Sequence, residues 1–119
     1  MPDKEDARSD VRLTYNTIIQ CTKCISEGKV VVYDPLLEIQ VMNISREGLC
    51  ITTEVEFKEG ALLEFDITLG DTLYKSISAR ILWSIKDEDR YRYGMHINYI
   101  SGKLSRHIYQ IENRLFTSV

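Results

Sequence analysis

Four stretches of this chain alternate apolar and polar residues with a period of two, and this pattern restricts its possible folds more than any other feature. Leu37, Ile39 and Val41 share one face, with Glu38 and Gln40 between them. Ala61, Leu63, Phe65, Ile67 and Leu69 repeat the pattern against Glu64, Asp66 and Thr68. Ile77, Ala79, Ile81, Trp83 and Ile85 extend it over the longest run, and Tyr91, Tyr93, Met95, Ile97 and Tyr99 form the last set. Successive side chains leave a strand on opposite sides, so a period of two marks strands with one face on a core and one in water.

Turn residues punctuate these runs: Ser26-Glu27-Gly28, Asp34-Pro35, Lys58-Glu59-Gly60, Gly70-Asp71 and the charged Asp87-Glu88-Asp89. The β-branched and aromatic residues from Leu13 to Ile25 predict the first strand. Val30 to Tyr33 follows it, and Leu49 to Thr53 resumes after the polar break at Asn43 to Gly48. At the end the period changes: Leu104, Ile108, Ile111 and Leu115 recur at steps of three or four, the stripe of an amphipathic helix over 101–116 with Ser101 as its N-cap. The expected fold is all-β, a six- to seven-stranded antiparallel barrel whose C-terminal α-helix packs over one opening, because closure removes unpaired strand edges.

The chain has 119 residues, the size of one domain with one core. Met1 to Asp10 is charged and almost free of apolar residues, so the reading is an arm over 1–12 followed by a barrel over 13–119. The net charge of −3 excludes general attraction to DNA, RNA or an anionic membrane, and an anionic ligand must find a local cluster of cations. No run is long and apolar enough to insert in a membrane, and the polar start is unlike a signal peptide, so the expected location is cytoplasmic.

Cys21 and Cys24 form a CxxC, and Cys50 stands apart. A structural zinc site needs a second ligand pair, and a redox CxxC sits at the start of a helix, whereas this one lies in a strand-like run. No metal and no cofactor is expected. His96 and His107 read as surface residues and the tyrosines as core residues with solvated hydroxyls. No nucleophile–base–acid order and no phosphate-cradling glycine loop is present, so the chain is not expected to be an enzyme.

Two polar segments interrupt the core pattern. One is Arg8-Ser9-Asp10-Val11-Arg12, ahead of the first strand, and the other is Asn43-Ile44-Ser45-Arg46-Glu47-Gly48. Either alone is ordinary: paired arginines near a terminus are usually a solvated face, and NxSxxG between strands is usually a turn. Together, an RxxxR followed about thirty residues later by an NxSxxG in an all-β chain resembles the PilZ domain family, as do the Arg80 to Trp83 strand, the Tyr93-Gly94-Met95 step and the closing helix. That family binds the second messenger cyclic di-GMP.

The resemblance implies a receptor that binds cyclic di-GMP and signals to a protein partner as its arm closes, in motility, adhesion or polysaccharide export. It assigns Arg8 and Arg12 to stacking on a base or to bidentate contacts with guanine or phosphate, for which a planar guanidinium is suited. Asn43 would meet the guanine edge, where the family more often has Asp; an amide offers one acceptor where a carboxylate offers two. Ser45 either donates to the ligand or holds the turn. Gly48 allows a close backbone approach or a conformation that a Cβ forbids. Arg46 either adds a phosphate contact or lies in solvent. Many relatives carry a further arginine where Ala7 stands, and its absence points to one bound ligand rather than two.

Trp83 has two readings. Its phase with Ile81 and Ile85 puts it in the core, whereas the resemblance puts its ring on the barrel surface beside a bound base. By period, Arg80 and Trp83 face opposite ways unless a bulge intervenes. The alternatives in function are a ligand-free interaction adaptor of the same fold and, from another class, an oligonucleotide-binding barrel. The latter needs basic residues interleaved with aromatics on one sheet face, and no strand here has them.

Overall fold

The computed structural model describes residues 17–117, with side chains to residue 111. In chain order the elements are β1 (Thr17–Ser26), β2 (Lys29–Ile44), β3 (Gly48–Thr53), β4 (Leu62–Leu69), β5 (Thr72–Asp87), β6 (Arg90–Ile97) and α1 (Gly102–Thr117). The strands close into an antiparallel barrel in the order β1-β2-β3-β6-β5-β4, with one helix after it. This is the architecture that the alternation predicts. Leu13 to Asn16, read as the start of the first strand, lie outside the described residues, as does the 1–12 arm.

One expected turn is absent. Asp34-Pro35 lies inside β2: Val32 pairs with Lys23 and Leu37 pairs with Cys21, so Tyr33 to Leu36 bulge opposite Thr22. Proline cannot donate to a ladder, and a bulge on a strand with an open side lets the strand continue past it. Pairing before and after the proline therefore outweighs its local turn signal.

The inward residues of the alternating runs make the core, with Ile19, Ile39, Ile51, Leu63, Phe65 and Ile81 almost fully buried. Helix α1 adds Leu104 and Ile108. Its start is set as expected, since the Ser101 hydroxyl accepts the N–H of Leu104 at 3.1 Å. His107 is not a bare surface residue: its Nδ1 lies 2.7 Å from the Tyr74 hydroxyl and ties α1 to β5. The tyrosines also depart from the sequence reading. Tyr93 has no exposure at all, and protein groups rather than water satisfy its hydroxyl. It donates to the Val55 carbonyl at 3.0 Å and accepts the Phe57 N–H at 2.6 Å, pinning the β3–β4 loop. Tyr99, read as the end of the inward set, is exposed.

Cys21 and Cys24 both point into the core from β1. Burial, with a smaller contribution from Cys24, pushes the Cys21 thiol from its ordinary value near 9 up to about 12. A nucleophilic or metal-binding cysteine needs the opposite, a stabilised thiolate. Among the described residues no group of His, Cys, Asp and Glu is placed to hold a metal ion.

Two outcomes follow for urea unfolding. Tyr93→Phe strands the buried Phe57 N–H and removes the donor of the part-buried Val55 carbonyl, and is expected to lower stability by about 1–3 kcal/mol. The unfolded chain releases the Cys21 proton above pH 9 while the folded chain holds it to about pH 12. Stability is therefore intact below pH 9 and falls between the two values, by up to about 1.4 kcal/mol per pH unit from this group. Cys21→Ala is expected to flatten that part of the pH profile.

Candidate functional site

Two one-residue bulges shape the outer face of the barrel wall. Val41 pairs with Ile51 and Asn43 with Cys50, so Met42 is an extra residue in β2. Ile81 pairs with Met95 and Trp83 with Gly94, so Leu82 is an extra residue in β5. A bulge lets two successive residues face outward before alternation resumes. That moves Trp83 out of phase with Ile81, and the residue is 41% exposed, with Ile85 exposed beside it. The core reading of Trp83 is thus overturned, and the reason is a change of phase at Leu82 that a period count does not detect. The same bulge gives Arg80 and Trp83 a common outer side.

The four strands between the bulges are in register. Asn43, Cys50, Gly94 and Trp83 form one transverse row across β2, β3, β6 and β5. The next row, Ile44, Leu49, Met95 and Ile81, is buried beneath them. Gly94 is the gap in the outer row, and a Cβ there would overlap the Trp83 indole. The ring thus lies over bare backbone, tilted across the wall instead of standing out from it.

The β2–β3 turn borders this row. Ser45 and Gly48 exchange backbone hydrogen bonds, N–H of Ser45 to the Gly48 carbonyl at 2.8 Å and the reverse at 3.3 Å. The Ser45 hydroxyl accepts the N–H of Glu47 at 3.2 Å, so of its two expected roles it fills the one of holding the turn. Gly48 is required by close approach, because a Cβ would run into the Met95 carbonyl of β6. Neither residue needs a ligand to explain its place.

A groove of about 260 Å³ results, lined by Asn43, Ser45, Glu47, Gly48, Cys50 and Trp83, with Leu49, Leu82, Gly94, Met95 and His96 completing it. The structure therefore brings together Asn43, Ser45, Gly48 and Trp83 of the residues singled out in the sequence. Arg46 is not with them; its guanidinium lies 5.0 Å from the centre of the Tyr109 ring on α1. Arg8 and Arg12 lie outside the described residues. Glu47, Cys50 and His96 line the groove without being site residues in the sequence pattern. Only Gly94 gave a sequence signal of its own, as a glycine in the middle of a strand. Among the described residues no lysine or arginine lines the groove, and its one carboxylate is Glu47.

Trp83 is the chain's single tryptophan and reports on this geometry. Gly94→Ala is expected to displace the indole into water, seen as a red shift of its fluorescence emission with the barrel's far-ultraviolet spectrum retained.

A family model for the PilZ domain matches residues 6–112. No curated protein matches the chain. Among solved structures it is similar to the Bacillus subtilis inhibitor of motility MotI/DgrA, with a TM-score of 0.67 and 16% identity over 93% of this chain and 52% of that one. It is also similar to MrkH of K. pneumoniae, with a TM-score of 0.62 and 18% identity over 91% of this chain and 48% of that one. The chain thus spans about half the length of each of these two proteins. The PilZ domain of YcgR from Escherichia coli, solved with c-di-GMP, gives a TM-score of 0.55 at 14% identity, over 86% of this chain and 83% of that one. At these identities the structures speak for the fold. The family match runs from before Arg8 into α1, nearly the whole sequence, and the chain belongs to the PilZ domain family.

Proposed function

We propose that this protein is a cytoplasmic cyclic di-GMP receptor, not an enzyme, and that it signals to a protein partner when its N-terminal arm closes over ligand held at the groove. PilZ domains are a family of cyclic di-GMP receptors. The observation that carries the reading here is a mismatch within the groove: among the described residues it offers a planar aromatic surface and hydrogen-bonding groups for a base, but no lysine or arginine for a phosphate. A ligand with two phosphates needs cations from elsewhere, and the arm has them.

The chain runs into β1 at Thr17, which pairs with Val41, two residues from Asn43. Arg12 lies five residues before Thr17, a reach of up to about 17 Å when extended. In this reading Arg8 and Arg12 bind phosphate or stack on a base, and Trp83 supplies a stacking face. Asn43 meets the guanine edge, and Ser45 and Gly48 shape the turn beside it. Arg46 reaches a phosphate only by leaving Tyr109. Ordering the arm costs affinity but creates the signal, since the closed surface exists only with ligand bound. No helix among the described residues is long and apolar enough to cross a membrane, in keeping with a partner reached from solution.

Isothermal titration of cyclic di-GMP into the wild-type protein, Arg12→Ala and Trp83→Ala tests this. Wild type is expected to bind one ligand per chain. Trp83→Ala is expected to lose the stacking contribution of about 1–3 kcal/mol, and Arg12→Ala to lose measurable binding. No heat with wild type would overturn the receptor reading and leave a ligand-free adaptor of the same fold.

A further inference from the structure

The two central residues of the β2–β3 turn are both exposed but have different surroundings. Arg46 lies against Tyr109, away from the groove, while Glu47 lines the groove. The backbone of Glu47 is held on both sides: its N–H is taken by the Ser45 hydroxyl, and its carbonyl accepts the Ile97 N–H at 3.3 Å. Its carboxylate has no ion pair or hydrogen bond among the described residues. A negative charge with no partner among the described residues thus borders a groove proposed to take a dianion, which Coulomb's law disfavours unless that charge meets a donor on the ligand.

Guanine provides such donors. Its Watson–Crick edge carries an N–H and an amino group side by side, and a carboxylate accepts both in bidentate fashion. Next to them on the same edge is the O6 acceptor, which suits the amide N–H of Asn43. Asn43 alone has a single acceptor oxygen and satisfies only part of this edge. Adenine presents a ring nitrogen acceptor where guanine has its N–H, so a carboxylate there repels it. We infer that Glu47 is the residue that reads guanine in this groove and sets the preference for a guanine over an adenine cyclic dinucleotide. The inference rests on the receptor reading above.

The competing view, that Glu47 is a solvated turn residue, predicts an effect of opposite sign, which makes the test decisive. Glu47→Gln keeps the size of the side chain, removes one charge near a dianion and removes the bidentate acceptor. The test is titration calorimetry of wild type and Glu47→Gln with cyclic di-GMP and with cyclic di-AMP, with thermal melts of both proteins to confirm equal folding. If Glu47 reads guanine, the variant binds cyclic di-GMP about tenfold or more weakly, and its preference over cyclic di-AMP narrows. Unchanged or tighter binding of cyclic di-GMP by the variant overturns this assignment while leaving the receptor intact. Wild type that binds neither ligand overturns both.

Discussion

The outward row that sets Asn43 in line with the Trp83 ring over Gly94 depends on two residues that the strand ladders skip. With Met42 set aside in β2 and Leu82 in β5, Asn43, Cys50, Gly94 and Trp83 all face outward, while Ile44, Leu49, Met95 and Ile81 stay in the core. Strict alternation would send Trp83 inward with Ile81, or force Ile81 out. The barrel avoids that conflict by adding one residue to each flanking strand, so the outer face gains an aromatic platform and the core keeps its packing. Gly94 completes the arrangement, because any larger residue would occupy the space of the indole.

The same wall links the groove to the helix. Gly48 brings the β2–β3 turn hard against β6, and Ser45 fixes the turn's shape. From that turn Arg46 reaches to Tyr109, and on another side of α1 the Tyr74 hydroxyl meets His107. The helix is thus held partly by a residue of the turn that borders the groove. At the other end, Tyr93 anchors the β3–β4 loop through its buried hydroxyl. Rigidity is placed where the groove needs it: on strands, with loops fixed by side chains from neighbouring strands.

In the proposed reading, shape and charge are supplied by different parts of the chain. The barrel provides a flat ring, an amide and a carboxylate, groups that read a base. The cations that balance a phosphate come from a segment ahead of β1. A site divided in this way is incomplete until both parts meet on the ligand, a simple physical basis for a receptor whose bound and free surfaces differ.

Much of this was legible in the sequence. The period-two runs named the strands and most of their inward residues, with Trp83, Ile85 and Tyr99 the exceptions, the change of period named the helix, and Ser101 named its cap. Those features are local: side-chain alternation and capping depend only on neighbours a few residues away. Asn43, Ser45 and Gly48 also stood out, because they interrupt the pattern. What the sequence could not reveal was phase and adjacency. Asp34-Pro35 looks like a turn until the pairing of β1 with β2 carries the strand past it. Trp83 looks like core until the register with β6 shows Leu82 as an extra residue. Trp83, Gly94 and His96 join the Asn43–Gly48 turn only through the pairing of β3 with β6 and of β6 with β5. Composition and periodicity determined the barrel; the site was decided by register, which is set by closure of the whole sheet and by no single segment within it.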